Sequence, residues 1–437
     1  MTPHETSPAS AAASADRIWH PYTRSSAFRD AALPVIVRGE GIHLFDEQGG
    51  RWTDAISSWW ACSLGHGHPR IVEAIRRQAA QLQHSILGNL SHPPALALAA
   101  RLAEWMPDPR VRVHFASDGA SAVEAALKIA LQYGHNRGEP RRRRLLSLEE
   151  AYHGDTLGAV SVGYLEQFHA PFRDLLVPAG RLPVPASPAA EPAARERARA
   201  LFRAHRGEVA ALIVEPLCLG AAGMKMYSPD HLRFLFDLCR EEGALFISDE
   251  IAMGFGRTSH RFAFEHAGID PDIVCVGKAL SAGYLPISAA VVKDAVYATF
   301  DDEPADRTFY HGHTFAGNPI AAAAALEALA VYEEERIVEG AAQKGARLAE
   351  WMRPLAALPT VREIRCLGLI AAAELRPEVK GPREERRPAR VRRALQARRI
   401  LARPLGDVVY LMPPLNTPDE ALREMVEALR DAIEESG

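Results

Sequence analysis

The sequence has 437 residues, of which 48% are hydrophobic and 24% charged, so it can bury a large core and divide into two or more domains. Its 51 Lys and Arg residues against 55 Asp and Glu give a formal charge of −4, which leaves no basic excess to neutralise a nucleic-acid backbone or an anionic membrane. We therefore expect a globular protein that acts on small molecules.

The cysteines and the N-terminus narrow the cellular setting. Five cysteines lie far apart, without a CxxC pair or a zinc-finger histidine partner, so we expect neither a disulfide framework nor a bound metal. Residues 1–16 are polar and rich in Ala and Ser, which predicts a flexible tail and not a signal peptide. No later stretch has the length and apolar character needed to span a bilayer, so the sequence indicates a cytoplasmic protein.

The residues after the tail predict a small β-rich unit. Residues 34–38 and 41–46 are short β-prone runs bounded by polar residues, and a Gln-Gly-Gly turn follows at 48–50. We assign residues 17–70 to the N-terminal segment of a small domain.

From residue 71 the pattern is that of an α/β domain. Helical periodicity alternates with compact apolar runs: VRVHFA, RRLLSL, VAALIVEP, GALFISDE and DIVCVG. Strands of this kind, separated by helices, are typical of a mostly parallel sheet covered on both faces. We assign residues 71–325 to this large domain. Residues 326–437 mix strand and helix patterns and are assigned, with the N-terminal segment, to a smaller α+β domain.

Two neighbouring strands of the large domain end in residues that can carry chemistry. LFISDE ends in two acids, Asp249 and Glu250, and the next strand, IVCVG, is followed by Lys278. Ligands bind at the carboxyl ends of strands in an open α/β sheet, although Lys278 could instead begin a helix and extend into solvent. Pyridoxal phosphate (PLP) needs an amine that forms a Schiff base and an anion that holds its ring nitrogen protonated. Lys278 and Asp249 meet both needs.

Two loops could complete a PLP site. SDGASAVEAALKIA places a glycine and small residues at a helix start, where backbone N–H groups can bind a phosphate, although Ser117 or Asp118 could simply cap the helix. YHGDT places Tyr152, His153 and Asp155 in a loop at the same edge of the sheet. Tyr152 could stack on the pyridine ring or pack beneath the loop.

The runs SDEIAMGFGRT, PDIVCVGKALSAGYLP and HGHTFAGNP together resemble the signature blocks of the class III aminotransferases, which are PLP-dependent transferases of fold type I. The resemblance implies that Lys278 carries the cofactor and that Asp249 contacts its ring nitrogen. It also implies a homodimer with composite sites, in which each phosphate is reached from the neighbouring subunit. The residues that it assigns to the cofactor are Gly119, Ala120, Tyr152, Asp249, Lys278, His313 and Thr314.

Further blocks are similar to the biotin-biosynthesis branch of the class: WHPYT, SSWWACSLGHGHP, ALQYG, YHGDTLGAVSVG and RPLGDVVYLMPP. That resemblance implies transamination of 8-amino-7-oxononanoate to 7,8-diaminononanoate. Tyr22 and Trp59 would line the aliphatic chain, with Tyr22 also in the catalytic set, and Arg403 would bind the carboxylate as a bidentate fork. The remaining substrate-contacting positions are Tyr152, Lys278 and Gly312.

The sequence departs from the family pattern at two places. Ala120 stands where many members have a serine, which removes a hydroxyl donor from the phosphate loop. Gly312-His313-Thr314 stands where users of S-adenosylmethionine usually have Gly-Pro-Thr, and GYLEQFHAPF resembles a branch that takes its amino group from lysine. The donor is therefore S-adenosylmethionine or lysine.

Several alternatives remain open at this level. Arg257 could bind an anion or form a structural salt bridge, Trp60 is expected in the core, and Tyr410 could belong to the core or the site. Another class III ω-aminotransferase, acting on a diamine, ornithine or a β-amino acid, would share the catalytic core. A noncatalytic PLP-binding protein is disfavoured because Lys278 and Asp249 are both present.

Overall fold

The strands form one large sheet and several small ones. The computed structural model describes residues 17–24, 34–301, 303, 306–378, 382 and 385–437, so the predicted tail, residues 1–16, lies outside the described residues. The strands are β1 Ile36–Glu40, β2 His43–Asp46, β3 Arg51–Asp54, β4 Val111–Ala116, β5 Arg144–Leu148, β6 Gly180–Leu182, β7 Val209–Val214, β8 Cys218–Leu219, β9 Lys225–Met226, β10 Leu245–Asp249, β11 Ile273–Val276, β12 Ser288–Lys293, β13 Val361–Leu367, β14 Ile370–Leu375, β15 Ile400–Leu401 and β16 Val408–Leu411.

The large sheet has seven strands in the order β4-β12-β11-β10-β7-β5-β6. The pairs from β11 to β6 are parallel, and β12 runs antiparallel to both of its neighbours. Every residue of β7 is buried, which is expected of a strand covered by helices on both faces. The predicted α/β fold with a mostly parallel sheet is confirmed.

Helices cover the sheets, and most of the long ones begin or end at a recognisable signal. Pro stands in the first turn of several helices, and the αL residue Gly243 ends the helix that begins after the Ser228 cap. None of the described helices is long and apolar enough to cross a membrane. The helices are α1 Pro69–Gln81, α2 Pro93–Trp105, α3 Gly119–Asn136, α4 Leu157–Val162, α5 Glu166–His169, α6 Glu191–Ala204, α7 Pro229–Glu242, α8 Asp294–Tyr297, α9 Pro319–Glu334, α10 Ile337–Met352, α11 Arg387–Ala397 and α12 Asp419–Glu435.

Two smaller sheets combine the ends of the chain. Strands β1, β2 and β3 form an antiparallel unit that β15 joins in parallel, through the pairs Ile400–Thr53 and Leu401–Asp54. Strands β13, β14 and β16 form a separate antiparallel sheet. The N-terminal segment thus pairs with the C-terminal part of the chain. The division at residues 70 and 325 stays a prediction, and α9 runs across the second of these positions.

A strained turn follows β3. The residues from Ser57 to Trp60 all have positive φ values, between 45° and 72°. Left-handed backbone costs a non-glycine residue roughly 1–2 kcal/mol. Contacts elsewhere in the fold must therefore hold this left-handed turn, which carries both Trp59 and Trp60.

Candidate active site

Lys278 and Asp249 meet at one edge of the large sheet. Strands β10 and β11 are parallel neighbours with Asp249 opposite Cys275, so both carboxyl ends open on the same side. Lys278 follows β11 directly and has a φ of 41°. Burial lowers the pKa of the Lys278 amine, while Asp249 and Glu215 act in the opposite direction. A lysine with a lowered pKa is more readily available as a nucleophile or base.

The aromatic ring of Trp60 lies beneath this lysine. The Lys278 Nζ is 4.7 Å from the Trp60 ring centroid, and Trp60 Nε1 donates a hydrogen bond of 3.1 Å to the Tyr410 hydroxyl. Both aromatic residues are buried. Trp60 is thus a core residue, as predicted, that also contacts Lys278 and is hydrogen-bonded to Tyr410.

Asp249 is fixed by two contacts. Its Oδ2 lies 2.7 Å from His153 Nδ1, and its Oδ1 accepts a bond of 3.2 Å from the Ile251 backbone amide. His153 Nε2 is buried with no described hydrogen-bond partner. The carboxylate is thereby oriented at the end of β10, next to Lys278.

Glu215 lies behind the same site. One carboxyl oxygen accepts a bond of 2.9 Å from the Tyr152 amide, and the other accepts one of 3.0 Å from the Gly220 amide. Burial raises the pKa of Glu215 to about 7. Glu215 therefore ties the loop that carries Tyr152 to the end of β7.

The start of α3 forms a cradle suited to a phosphate. Asp118 caps the helix by accepting bonds of 3.0 Å from the Ser121 amide and hydroxyl. In the described residues no group accepts from the amides of Gly119 and Ala120. A Cβ on Gly154 would come within 2.4 Å of the Ala120 Cβ, so the YHGDT loop closes tightly over the helix start. The cap and the anion cradle, considered as alternatives from sequence, coexist here because different amides serve them.

Tyr152 and Tyr22 share an acidic partner. The Tyr152 hydroxyl donates 3.1 Å to Asp155, and the Tyr22 hydroxyl donates to the other oxygen of the same carboxylate. Burial and the Asp155 bond raise the pKa of Tyr22 to about 12. Both hydroxyls therefore stay protonated at neutral pH and can donate hydrogen bonds.

Tyr22, Trp59 and Arg403 form an aromatic box with a cation at its side. The Tyr22 and Trp59 ring centroids are 5.7 Å apart, and the Arg403 guanidinium carbon is 4.1 Å from the Trp59 centroid. Arg403 also donates 3.0 Å to the Tyr22 carbonyl. Burial lowers the pKa of Arg403, but its ordinary value is so high that the group remains a cation. Residues separated by hundreds of positions thus meet in the predicted combination.

Phe168 belongs to this box and was not singled out from the sequence. Its ring centroid lies 5.3 Å from that of Tyr22 in an edge-to-face arrangement. Phe168 occupies the short helix α5, whose sequence gives no periodicity that would separate a pocket residue from a surface one. The GYLEQFHAPF block located the segment, but the contact depends on the tertiary fold.

Arg257 does not form the salt bridge that was one of its two predicted roles. It is buried, and it donates to the carbonyls of Leu369 and Pro413 and to the Ser57 hydroxyl, at 3.1, 2.7 and 3.3 Å. No acidic partner of Arg257 occurs within the part of the chain that the structure describes. The salt-bridge alternative is therefore not what the fold uses, since carbonyl oxygens satisfy the guanidinium.

Gly312, His313 and Thr314 lie in the loop that precedes α9. The ring centroids of His313 and His311 are 5.4 Å apart. The Nδ1 atom of His311 lies 3.1 Å from the Nζ atom of Lys128, which is in the middle of α3. Thr314 is exposed. Within one copy of the described chain, no backbone hydrogen bond joins this loop to the helix start at Gly119.

The geometry fits PLP as the bound cofactor. Lys278 would provide the amine, Asp249 the anion for the ring nitrogen, and the start of α3 the amides for a phosphate. The Gly154–Ala120 approach leaves no room for a larger side chain at that loop.

Comparison with known proteins agrees with a PLP-binding site. The family model described as aminotransferase class-III matches residues 26–433. The chain is 42% identical to the adenosylmethionine-8-amino-7-oxononanoate aminotransferase of Synechococcus elongatus, with 96% of this chain and 98% of the relative covered. It is 41% identical to the enzyme of that name from Nitratidesulfovibrio vulgaris, with 96% and 80% covered.

Solved structures give the same result. The enzyme of that name from Methanocaldococcus jannaschii matches with a TM-score of 0.91 at 35% identity, covering 96% of this chain and 97% of that one. A PLP-bound amine transaminase from an uncultivated Pseudomonas species matches with a TM-score of 0.91 at 32% identity, covering 96% and 99%. This chain therefore belongs to the class III aminotransferases and uses pyridoxal phosphate as its cofactor.

Proposed function

We propose that this aminotransferase converts 8-amino-7-oxononanoate to 7,8-diaminononanoate, a step of biotin biosynthesis, with S-adenosylmethionine or lysine as the amino donor. The relatives named above carry that activity in their names. The observation that carries the proposal is the Arg403 cation 4.1 Å from the Trp59 ring, beside Tyr22. A pocket with aromatic walls and an arginine suits a long aliphatic acid.

Each part of the pocket has a distinct task in this proposal. Tyr22 and Trp59 exclude water from the hydrocarbon chain of the acceptor, and Phe168 extends the same apolar wall. The Arg403 guanidinium binds the distal carboxylate, because its planar fork can donate two parallel hydrogen bonds. The reactive carbonyl is then directed toward Lys278.

The catalytic residues act on protons and charge. Bound PLP supplies an electron sink for the carbanion that forms when the substrate loses its Cα proton. Lys278 Nζ takes up that proton, and burial favours the neutral amine needed for this role. Asp249 stays oriented by His153 and holds a proton on the ring nitrogen of the cofactor. Tyr152 would stack over the cofactor ring, and its amide is held by Glu215.

We also propose that the enzyme is a homodimer with composite sites. Thr314 is exposed, and no described backbone hydrogen bond joins His313 or Thr314 to the helix start at Gly119 in the same subunit. A C2 dimer would allow this loop to reach the phosphate cradle of its partner, with Gly312 leaving room beside the substrate. All five cysteines are free thiols, which supports a reducing compartment such as the cytoplasm.

A half-reaction tests the proposed substrates directly. The purified protein is loaded with PLP, S-adenosylmethionine or lysine is added separately, and the visible absorbance is followed for conversion to the pyridoxamine form. Adding 8-amino-7-oxononanoate should then restore the original absorbance. If neither donor converts the cofactor but a diamine, ornithine or a β-amino acid does, the ω-aminotransferase alternative replaces this proposal.

A lysine variant tests the assigned chemistry. Lys278→Ala should abolish the complete transamination reaction, because both the attachment point and the proton acceptor are lost. Lys293→Ala is a matched control, since Lys293 pairs with Asp270 at 2.7 Å on the far end of β12. A Lys278→Ala enzyme with the turnover of the control would contradict the assignment.

A further inference from the structure

Asp54 is fully buried at the end of β3 and contacts the left-handed turn that carries Trp59 and Trp60. Its Oδ2 accepts a bond of 2.7 Å from the Ser58 hydroxyl, and its Oδ1 accepts one of 3.2 Å from the Ile56 amide. The same Oδ2 lies 2.9 Å from His66 Nε2. The Asp54 carboxylate therefore connects Ile56, just before the turn, with Ser58 in the turn and with His66 in the segment after the turn.

The charges of this cluster strengthen the contacts. Burial opposes ionisation of both partners, but the hydrogen bonds from His66 and Ser58 hold the pKa of Asp54 below its ordinary value. The bonds to Asp54 and Cys62 raise the pKa of His66 to about 9 despite its burial. Asp54 and His66 are thus an ion pair at neutral pH, and hydrogen bonds to charged groups are the stronger kind.

The turn needs such an anchor. Four successive residues, Ser57 to Trp60, lie in the left-handed region, each at a cost of roughly 1–2 kcal/mol. The Ser57 side chain is held separately, through a bond of 2.7 Å to the Met412 carbonyl. Without the contacts of Asp54, the backbone at Ser58 and Trp59 would relax toward ordinary conformations.

Relaxation of the turn would move both tryptophans. Trp59, 38% exposed, contacts Tyr22 and Arg403, whereas Trp60, 5% exposed, lies under Lys278. Asp54 also pairs with Leu401, two residues before Arg403, so the same strand pair fixes the spacing between the carboxylate-binding arginine and the turn.

We propose that Asp54 is a positioning residue for substrate recognition: through Ser58 and His66 it holds the left-handed turn that sets Trp59 against Arg403. No ligand can reach the Asp54 carboxylate, because the residue has no exposed surface. Its influence therefore passes through the turn. Strain held in place by surrounding contacts is a known feature of binding sites.

The test is a double-mutant cycle with Asp54→Asn and Trp59→Ala, read out as the KM for the acceptor. It rests on the proposed function only in the choice of 8-amino-7-oxononanoate as that acceptor. Asp54→Asn should raise KM about tenfold in the wild-type background, since displacement of a positioned group is costly. In the Trp59→Ala background the same change should alter KM less than about twofold, because the group that Asp54 positions is gone.

Asp46→Asn is the matched control. Asp46 is another buried aspartate that orders a turn, through bonds of 2.6 Å from the Gly50 amide and 2.8 Å from Trp52 Nε1. The Asp46→Asn variant should have a KM within about twofold of wild type. This result would separate the positioning effect of Asp54 from a general effect of lost stability on KM. Should Asp54→Asn fail to fold, Ser58→Ala removes only the 2.7 Å bond and should raise KM about threefold by the same route.

The contrary results are distinct. An unchanged KM in the folded variant, or an equal rise in both backgrounds, overturns the role of Asp54. If the wild-type enzyme does not accept 8-amino-7-oxononanoate, the proposed function fails by itself. The cycle is then run with the carbonyl substrate that the enzyme does accept, and the same two criteria decide the role of Asp54.

Discussion

The Oδ2 atom of Asp249 lies 2.7 Å from His153 Nδ1, and both side chains are buried. His153 is in the loop after β5, whereas Asp249 ends β10, so the pair connects two strand ends across the site. Without His153, the Asp249 carboxylate would keep, among the residues that the structure describes, only the 3.2 Å bond from the Ile251 amide. The orientation of the carboxylate toward the cofactor ring therefore depends on this histidine.

We expect His153→Ala to weaken PLP binding and to lower kcat, each by about tenfold, because a hydrogen bond to a charged group is lost. His153→Asn should restore part of both, since its amide nitrogen can replace Nδ1 as a donor. The measurements are a PLP titration by absorbance and steady-state kinetics. His231→Ala is the control: His231 is also buried, but neither of its ring nitrogens has a hydrogen-bond partner among the described residues. Equal losses in the control would mean that cavity formation, not the Asp249 contact, causes the effect.

Substitution of Arg403 should change the KM for the acceptor more than it changes kcat. Arg403→Ala is expected to raise the KM for 8-amino-7-oxononanoate about 10- to 100-fold, the range for hydrogen bonds to a charged group, with a smaller change in kcat. Arg403→Lys should recover little of this, since an ammonium cannot form the bidentate fork.

Arg399→Ala provides the matched comparison for Arg403. Arg399 also lies against a tryptophan, 5.4 Å from the Trp52 ring centroid, and near a carboxylate, 3.2 Å from Asp46. That site is on the small sheet away from Lys278, so the KM should stay as in the wild type. An unaltered KM in Arg403→Ala would remove the arginine from the acceptor site.

The sequence was sufficient for the elements that follow local rules. The pairing of Asp249 with Lys278 was predictable because both residues follow buried strands, and neighbouring parallel strands place their ends at one edge. The α3 cradle was predictable from small residues before a strongly helical run.

Other features depend on partners that are distant in the chain. The left-handed backbone at Trp59 could not be predicted, because no glycine marks it and its supports include Met412, 355 residues from Ser57. The contact of Phe168 with Tyr22 joins a four-residue helix to the N-terminal segment, and no periodicity determines the relative position of the two. The Asp249–His153 bond likewise spans 96 residues. Local propensity says little about such pairs.

The ion pair between His66 and Asp54 predicts a pH dependence of stability. The pKa of His66 is raised to about 9 in the folded protein by its bonds to Asp54 and Cys62, from an ordinary value near 6.5. A raised pKa stabilises the fold fully below the unfolded value, and this contribution is lost as the pH rises through 9. His66→Gln should therefore lower the free energy of unfolding by about 2 kcal/mol at pH 7.

Urea unfolding of both proteins at several pH values measures this effect. The difference between wild type and His66→Gln should be largest below pH 6.5 and shrink steadily through pH 9, as the wild type loses the cation. A difference that stays constant from pH 6 to pH 10 would show that shape, and not the charge of His66, stabilises this part of the fold.

The departure from the family pattern at Ala120 predicts a substitution that strengthens cofactor binding, whereas the substitutions above weaken binding or stability. Ser121 cannot supply the missing hydroxyl freely, because its Oγ already donates 3.0 Å to the capping Asp118. Phosphate binding must then rely on the backbone amides of Gly119 and Ala120 within this subunit. Ala120→Ser adds a donor at the helix start and should tighten PLP binding about three- to tenfold, the value of one moderate hydrogen bond to an anion.

Equilibrium titration of the wild-type and Ala120→Ser apoenzymes with PLP measures the two dissociation constants. Ser121→Ala is the control and should leave the dissociation constant within about twofold, since its hydroxyl serves the cap. Because Gly154 packs tightly against the Ala120 Cβ, the added hydroxyl could instead weaken PLP binding. If Ala120→Ser weakens binding, the hydroxyl displaces the YHGDT loop, and close packing of that loop, not a missing donor, explains why alanine stands here.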